Sequence, residues 1–217
     1  MKEILLDQDA NSNGLNALNY SAKWIHYNNE RAQLFPFLFF KIYCKHLDLE
    51  EFIYEKDSEG FTLLHSMTSR QLVPVIKLVL TQIKAELSVQ KFKQFLRLRN
   101  NAQQNLLHLI ADSRFTTVIN EKLDFIINLL DIELNSQEIK EMLTEKDKYE
   151  LFPLHSLIRK SRGFEKSILS FYLKFFSVNE IDSMIKSENS EGFIFKANTI
   201  NILCKRVRRL HNESFEN

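Results

Sequence analysis

Three histidines close related nine-residue stretches: DSEGFTLLH at 57–65, NNAQQNLLH at 100–108 and DKYELFPLH at 147–155. Imidazole is the side chain best suited to bind zinc or to move protons near neutral pH, so a metal site or a general base is the first chemistry to test. The spacing argues against both. Each histidine falls in a different copy of a repeating unit, and packed helices lie roughly 10 Å apart, whereas ligands to one zinc must all approach within about 2 Å. His65, His108 and His155 are therefore expected to brace the start of a helix. A second candidate, Cys44 beside Lys45 and His46, resembles an activated thiol, since a nearby cation lowers a thiol pKa. Sequence neighbours on a helix point apart, however, and Cys44 follows the apolar run FPFLFFKIY, so a buried, inert thiol is expected. The chain contains no GxSxG, HExxH, GxxxxGK[ST] or GxGxxG. No catalytic residue, metal ligand or cofactor is assigned.

The elements that would position these histidines recur with them. A further copy fits NSNGLNALN at 11–19, with Asn19 in the histidine slot, and a degenerate one begins at Asn189 with Gly192; Lys196 and Ala197 erase its motif. The fourth position of each copy is Gly14, Gly60, Gln103, Glu150 and Gly192, a period of 42 to 47 residues. Each interval also carries a second signature: SVQKFKQFL from Ser88, NSQEIKEML from Asn135 and SVNEIDSMI from Ser177. Ser88, Asn135 and Ser177 read as helix N-caps, and Glu138 and Glu180 stand where a capping box needs them. Apolar residues follow in register at Phe92/Ile139/Ile181, Phe95/Met142/Met184 and Leu96/Leu143/Ile185. Between the two signatures lie longer amphipathic stretches, 73–87 with Val73, Ile76, Leu80, Ile83 and Leu87, and 123–134 with Leu123, Ile126, Ile127 and Leu130. Each unit thus predicts a polar loop, a short helix, a long helix and a short third helix. The units span about 9–55, 56–98, 99–145 and 146–187, with a cap at 188–210 and a flexible tail at 211–217.

Composition agrees with helices joined by polar loops. Four glycines and three prolines leave little material for tight hairpins, and 44% hydrophobic with 26% charged residues is usual for a chain that buries a core. A formal charge of +1 excludes a strong global attraction to nucleic acid or membrane. Two distant cysteines suggest neither a disulfide framework nor a thiolate metal site, which points to a reducing compartment. The first residues carry no secretory signal pattern, and LFPFLFF at 34–40 is too short for the roughly 20 residues of a membrane helix. The aromatic blocks at Phe35–Tyr43 and Phe171–Phe176 read as core. The helix NTINILCKRVRRL places Ile200, Leu203, Val207 and Leu210 on one stripe, as a capping helix should. Lys205, Arg206, Arg208 and Arg209 around it allow at most weak contact with an acidic membrane surface; no nucleic acid partner is expected.

The pattern D-x-x-G-x-T-x-L-H resembles the ankyrin repeat, whose units carry T-P-L-H after a turn. Thr62 and His65 match it, as do Leu107 with His108, and Pro153 with Leu154 and His155. The resemblance implies an all-α, ankyrin-like solenoid in which Thr62, His65, His108, Pro153 and His155 are structural. The period exceeds the family's ~33 residues and falls in the ~40–47 range of HEAT and armadillo arrays, which stand as the alternative. The third helix accounts for the excess. In the family, partners bind the concave face, here Tyr20, Lys23, Trp24, Ser66, Ser69, Arg70, Leu109, Asp112, Ser156, Arg159 and Lys160. That set holds Lys23, Arg70, Arg159 and Lys160 against Asp112 alone, and the single tryptophan, so it implies a protein partner with an acidic surface, bound by a monomer. A helical ankyrin variant rich in Asn, Lys, Ile and Phe also resembles the type IV secretion effectors of intracellular bacteria. This resemblance implies a cytoplasmic protein, delivered by a bacterium into the host cytosol. A small hydrolase or transferase with its site in the groove, and a scaffolding subunit of a homo-oligomer, are the other readings.

Overall fold

A computed structural model describes residues 53–70, 73–111, 119–160, 165–187 and 197–213. All regular structure among them is α-helical: α1 (Leu63–Arg70), α2 (Val73–Glu86), α3 (Val89–Leu96), α4 (Leu106–Ala111), α5 (Ile119–Glu133), α6 (Ser136–Thr144), α7 (Pro153–Lys160), α8 (Glu165–Leu173), α9 (Val178–Lys186) and α10 (Ala197–Glu213). The chain divides into two compact units, Met1–Leu109 and Ile110–Asn217. The expected first copy at 9–55 lies almost wholly outside the described residues, as do Cys44 and Phe35–Tyr43.

In the first unit α2 packs on α3. Val75, Ile76, Val79, Leu80 and Ile83 line the buried side of α2, a spacing that puts all five on one helical face. Phe92, Phe95 and Leu96 form the buried side of α3, at 1% exposure or less. In the second unit Leu123, Ile126, Ile127 and Leu130 do the same for α5. Lys122 joins them at 1% exposure, and burial pulls its pKa down to about 8. Helix α7 is flanked by α6, α8 and α9, and α10 packs on both α8 and α9. Leu203 and Val207 form its buried stripe, with Cys204 beside them; the side chain of Ile200 is outside the described set. The helix continues to Glu213, so the first three residues of the expected tail are helical. An i,i+4 pair from Arg209 Nε to Glu213 Oε1, 2.9 Å, supports that last turn.

All three short third helices start where the sequence places their caps. Ser88 accepts from the Lys91 N–H, Asn135 from Glu138 and Ser177 from Glu180. At Asn135 and Ser177 the return bond is also made: Glu138 Oε2 accepts from the Asn135 N–H at 2.8 Å, and Glu180 Oε2 from the Ser177 N–H at 2.7 Å. Lys91 cannot return such a bond, so the Ser88 cap is half a box. The residues in register are buried in all three copies. The caps thus fix where each helix begins, and the period of the apolar residues fixes which face turns inward. Asn135→Ala and Ser177→Ala should each lose about 1 kcal/mol in urea unfolding, twice or more the loss from Ser88→Ala. Equal losses at all three positions would show that the reciprocal Glu bond adds nothing.

Candidate functional site

The histidine stretches form the same local structure three times, starting from a buried Asx residue. Asp57 Oδ1 accepts from the Glu59 N–H at 2.9 Å and from the Phe61 N–H at 2.7 Å. Asp147 Oδ1 accepts from Tyr149 at 2.8 Å and Leu151 at 3.0 Å, and Asn100 Oδ1 from Gln104 at 2.9 Å. In each loop the main chain closes as well: Asp57 N–H to the Phe61 carbonyl, Asn100 to Gln104 and Asp147 to Leu151, at 2.9 to 3.1 Å. The fourth residue of the loop takes positive φ, +77° at Gly60, 59° at Gln103 and 62° at Glu150. This left-handed conformation explains the glycine slot of the sequence pattern.

The histidine then ties that loop to the helix behind it. The Thr62 N–H donates to His65 Nδ1 at 3.0 Å, and the Thr62 hydroxyl lies 3.0 Å from the same nitrogen. With Nδ1 accepting, the ring proton sits on Nε2, which donates to the Leu98 carbonyl just beyond α3, at 3.1 Å. One imidazole so joins the loop, the start of α1 and the end of the third helix. His155 repeats the Nδ1 half of the arrangement: the Phe152 N–H donates to Nδ1 at 3.1 Å, while the buried Nε2 forms no hydrogen bond to match the one at His65. Pro153 opens α7 at the first helical position, where its fixed φ and missing N–H are no handicap. At His108 the partner differs. The Asn105 N–H again faces Nδ1, at 3.3 Å, and the Asn105 Oδ1 oxygen stands 2.9 Å from the same nitrogen; in a given tautomer only one of the two contacts is a hydrogen bond. The three rings are at most 4% exposed. Burial drives His65 down to about 4, and it lowers His155 as well.

The loops of the first unit also meet each other. The Asn101 N–H donates to the Glu59 carbonyl at 3.1 Å, Asn101 Nδ2 to the Ser58 carbonyl at 3.0 Å, and Lys56 Nζ to the Arg99 carbonyl at 3.3 Å. A Cβ placed on Gly60 would come within 2.5 Å of the Asn101 nitrogen, so this glycine is held by contact as well as by φ.

The partner-facing set fares differently. Ser66, Ser69, Leu109 and Ser156, expected to point outward, are buried, at 8% exposure or less. For Ser156 the cause is visible: α7 is enclosed by α6, α8 and α9, so a two-turn helix has little free surface left. In α1 the Ser69 hydroxyl turns back to the Ser66 carbonyl at 3.1 Å, which lets a small polar side chain sit inside. Arg159 is exposed. Tyr20, Lys23, Trp24 and Asp112, and the side chains of Arg70 and Lys160, lie outside the described residues. Met67, Ile110, Leu157 and Ile158, apolar residues of the same short helices, are buried too.

In the basic helix α10, Arg208 donates to Asp182 Oδ2 at 2.9 Å, and Asp182 is buried in α9. The Cys204 thiol, next to that carboxylate, is pushed up by burial first and by Asp182 second. Two of the four basic residues of this helix are thus committed within the chain: Arg208 to α9 and Arg209 to Glu213. Lys205 and Arg206 are exposed. Nothing in the sequence around Asp182 marked it, because its partner lies 26 positions away.

Among the described residues no three His, Cys, Asp or Glu side chains converge as metal ligands would, and no helix is long and apolar enough to cross a membrane. No protein-family model matches the chain, and no curated protein is significantly similar to it. The site is therefore a recurring brace whose exposed margins are the loop tips.

Two stability predictions test this geometry. Gln103→Gly and Glu150→Gly should each stabilise by about 0.5–1 kcal/mol by relieving a left-handed residue, whereas Gly60→Ala should cost about 2 kcal/mol or more; urea unfolding reads all three. Arg208→Ala, which strands a buried carboxylate, should cost about 1–2 kcal/mol, and Arg209→Ala, on an exposed pair, under about 0.5 kcal/mol. Equal effects of the two arginine variants would remove the lock between α9 and α10.

Proposed function

We propose that the chain is an ankyrin-like repeat module that binds a protein partner non-covalently, without chemistry of its own. The carrying observation is the threefold turn and histidine brace, with two successive loops hydrogen-bonded side by side in the first unit. Such a brace spends its histidines on architecture: in each copy a main-chain N–H faces Nδ1. Surfaces made in this way present side chains on a rigid frame, which keeps the entropic loss on binding small.

The contact surface in this reading moves off the small residues of the short helices, since Ser66, Ser69 and Ser156 are covered. It passes to Arg159 and to the tip at 146–150, where Tyr149 is 40% exposed with Lys148 Nζ 5.0 Å from its ring centre. Tyrosine and arginine contribute disproportionately to binding energy, and Lys148 and Arg159 suit a partner with an acidic surface. Delivery into a host cytosol by a type IV apparatus is the setting its composition suggests, and a translocation reporter fused to the chain tests it. In affinity capture, Tyr149→Ala with Arg159→Glu should lower retention of the partner at least tenfold, with the circular dichroism unchanged. Full retention by the double variant would exclude this surface. Light scattering on the eluted protein, expected to give one copy per particle, separates the module from a scaffolding subunit of a homo-oligomer.

A further inference from the structure

Opposite the buried side of α2 runs a stripe formed by Pro74, Lys77, Leu78, Thr81, Lys84 and Ala85, all exposed. Spacings of three, four and seven put these residues on one side of the helix, with Lys77 and Lys84 two turns, about 10 Å, apart. Leu78 is 41% exposed between them. The polar groups that could dilute this stripe turn away from it. The Thr81 hydroxyl donates to the Lys77 carbonyl at 2.8 Å, and Glu86, the single acid of α2, lies off the stripe and accepts from Gln82 Nε2 at 3.3 Å.

The corresponding stripe of α5 has the opposite charge. Counted from the N-caps Ser88 and Asn135, Lys77 corresponds to Asp124, Leu78 to Phe125, Lys84 to Asp131 and Ala85 to Ile132. Both helices repeat a charge followed by an apolar residue after seven positions; the sign is what differs. Cations on this face are therefore not a demand of the repeat. Within the second unit, Asp131 Oδ2 is met at 2.7 Å by the ammonium of Lys174, just beyond α8, while Ile132 beside it stays 75% exposed. A lysine meeting the acidic row of a helix is thus a pairing the protein already makes.

We propose that the outer stripe of α2 is a docking surface for an acidic amphipathic helix of a protein partner, which presents carboxylates to Lys77 and Lys84 and an aliphatic side chain to Leu78. A helix laid along α2 repeats its own positions every two turns, so two of its carboxylates seven residues apart meet both ammonium groups at once. The lysine stems flank Leu78 with apolar surface while their charges stay in water. Opposite charges then set the orientation of the partner and speed its arrival. The inference rests on the reading of the chain as a binding module and assigns it a site on residues other than Tyr149 and Arg159.

Fluorescence anisotropy with the full chain tests it, using a labelled helical peptide of about 20 residues that carries Glu and Leu at adjacent positions every seven residues on an Ala and Gln background. Lys77→Glu with Lys84→Glu should weaken binding at least tenfold, and Leu78→Ala about fivefold, with the circular dichroism unchanged. A peptide with Lys in place of Glu should bind the double variant more tightly than the wild type, a reversal that loss of fold cannot produce. Tyr149→Ala with Arg159→Glu should change the affinity less than about twofold, so that either surface can fail while the other stands. Unchanged binding by the Lys77 and Lys84 variant would overturn the proposal. So would equal binding of a scrambled peptide of the same composition, or equal weakening by Lys205→Glu with Arg206→Glu on the exposed side of α10, since net charge would then explain the effect. Self-association of the wild-type chain in light scattering, lost in the Lys77 and Lys84 variant, would overturn it as well, because the occupant would be α5 of a second copy.

Discussion

A neutral imidazole whose Nδ1 accepts the N–H three residues before it is the interaction on which the described structure turns. The first turn of a helix leaves its amide groups without intrahelical partners, and here the side chain behind takes one of them. Because the ring also reaches the end of the third helix, a local capping bond becomes a tertiary one. It joins residues 62 and 98 through His65, whereas at His155 the bond from Phe152 is the one formed. Loss of such a ring would leave main-chain groups buried and unbonded at two places at once, each worth about 1–3 kcal/mol.

The buried Asx residue prepares that bond. Its side-chain oxygen gathers the amides of the loop and leaves the last residue before the helix facing the ring. Asp57 and Asp147 each take two amides, Asn100 one, and its carboxamide nitrogen reaches Gln104 Oε1 instead. The substitution of Asn for Asp therefore changes the charge beside the histidine while keeping the turn. It coincides with the copy in which the brace itself uses a carboxamide.

How much of this is legible in the sequence depends on the range of the interaction. The caps at Ser88, Asn135 and Ser177 are local bonds, and their residue types and spacing suffice to locate them. The faces of α2, α3, α5, α6 and α9 follow from helical period. The role of the glycine slot is also readable, since a loop that admits Gly, Gln and Glu at one position defines a backbone shape and not a side chain. What could not be read is the burial of Ser66, Ser69, Leu109 and Ser156. Serine suits a surface and an interior equally, and its fate is decided by the helices packed around it. The same holds for Asp182, buried with a partner 26 positions away, and for Lys122, buried among the apolar residues of α5.

Gly60 shows what close stacking writes into a chain. Its two companions, Gln103 and Glu150, are exposed and carry full side chains at similar φ, whereas Gly60 is buried against Asn101. The backbone shape alone therefore permits any residue able to bear a left-handed conformation. Only a neighbouring loop at van der Waals range removes that freedom. A glycine in this slot is then a footprint of adjacency: drift at 60 is tied to the chain at 101, while positions 103 and 150 can vary in charge and length without disturbing another loop.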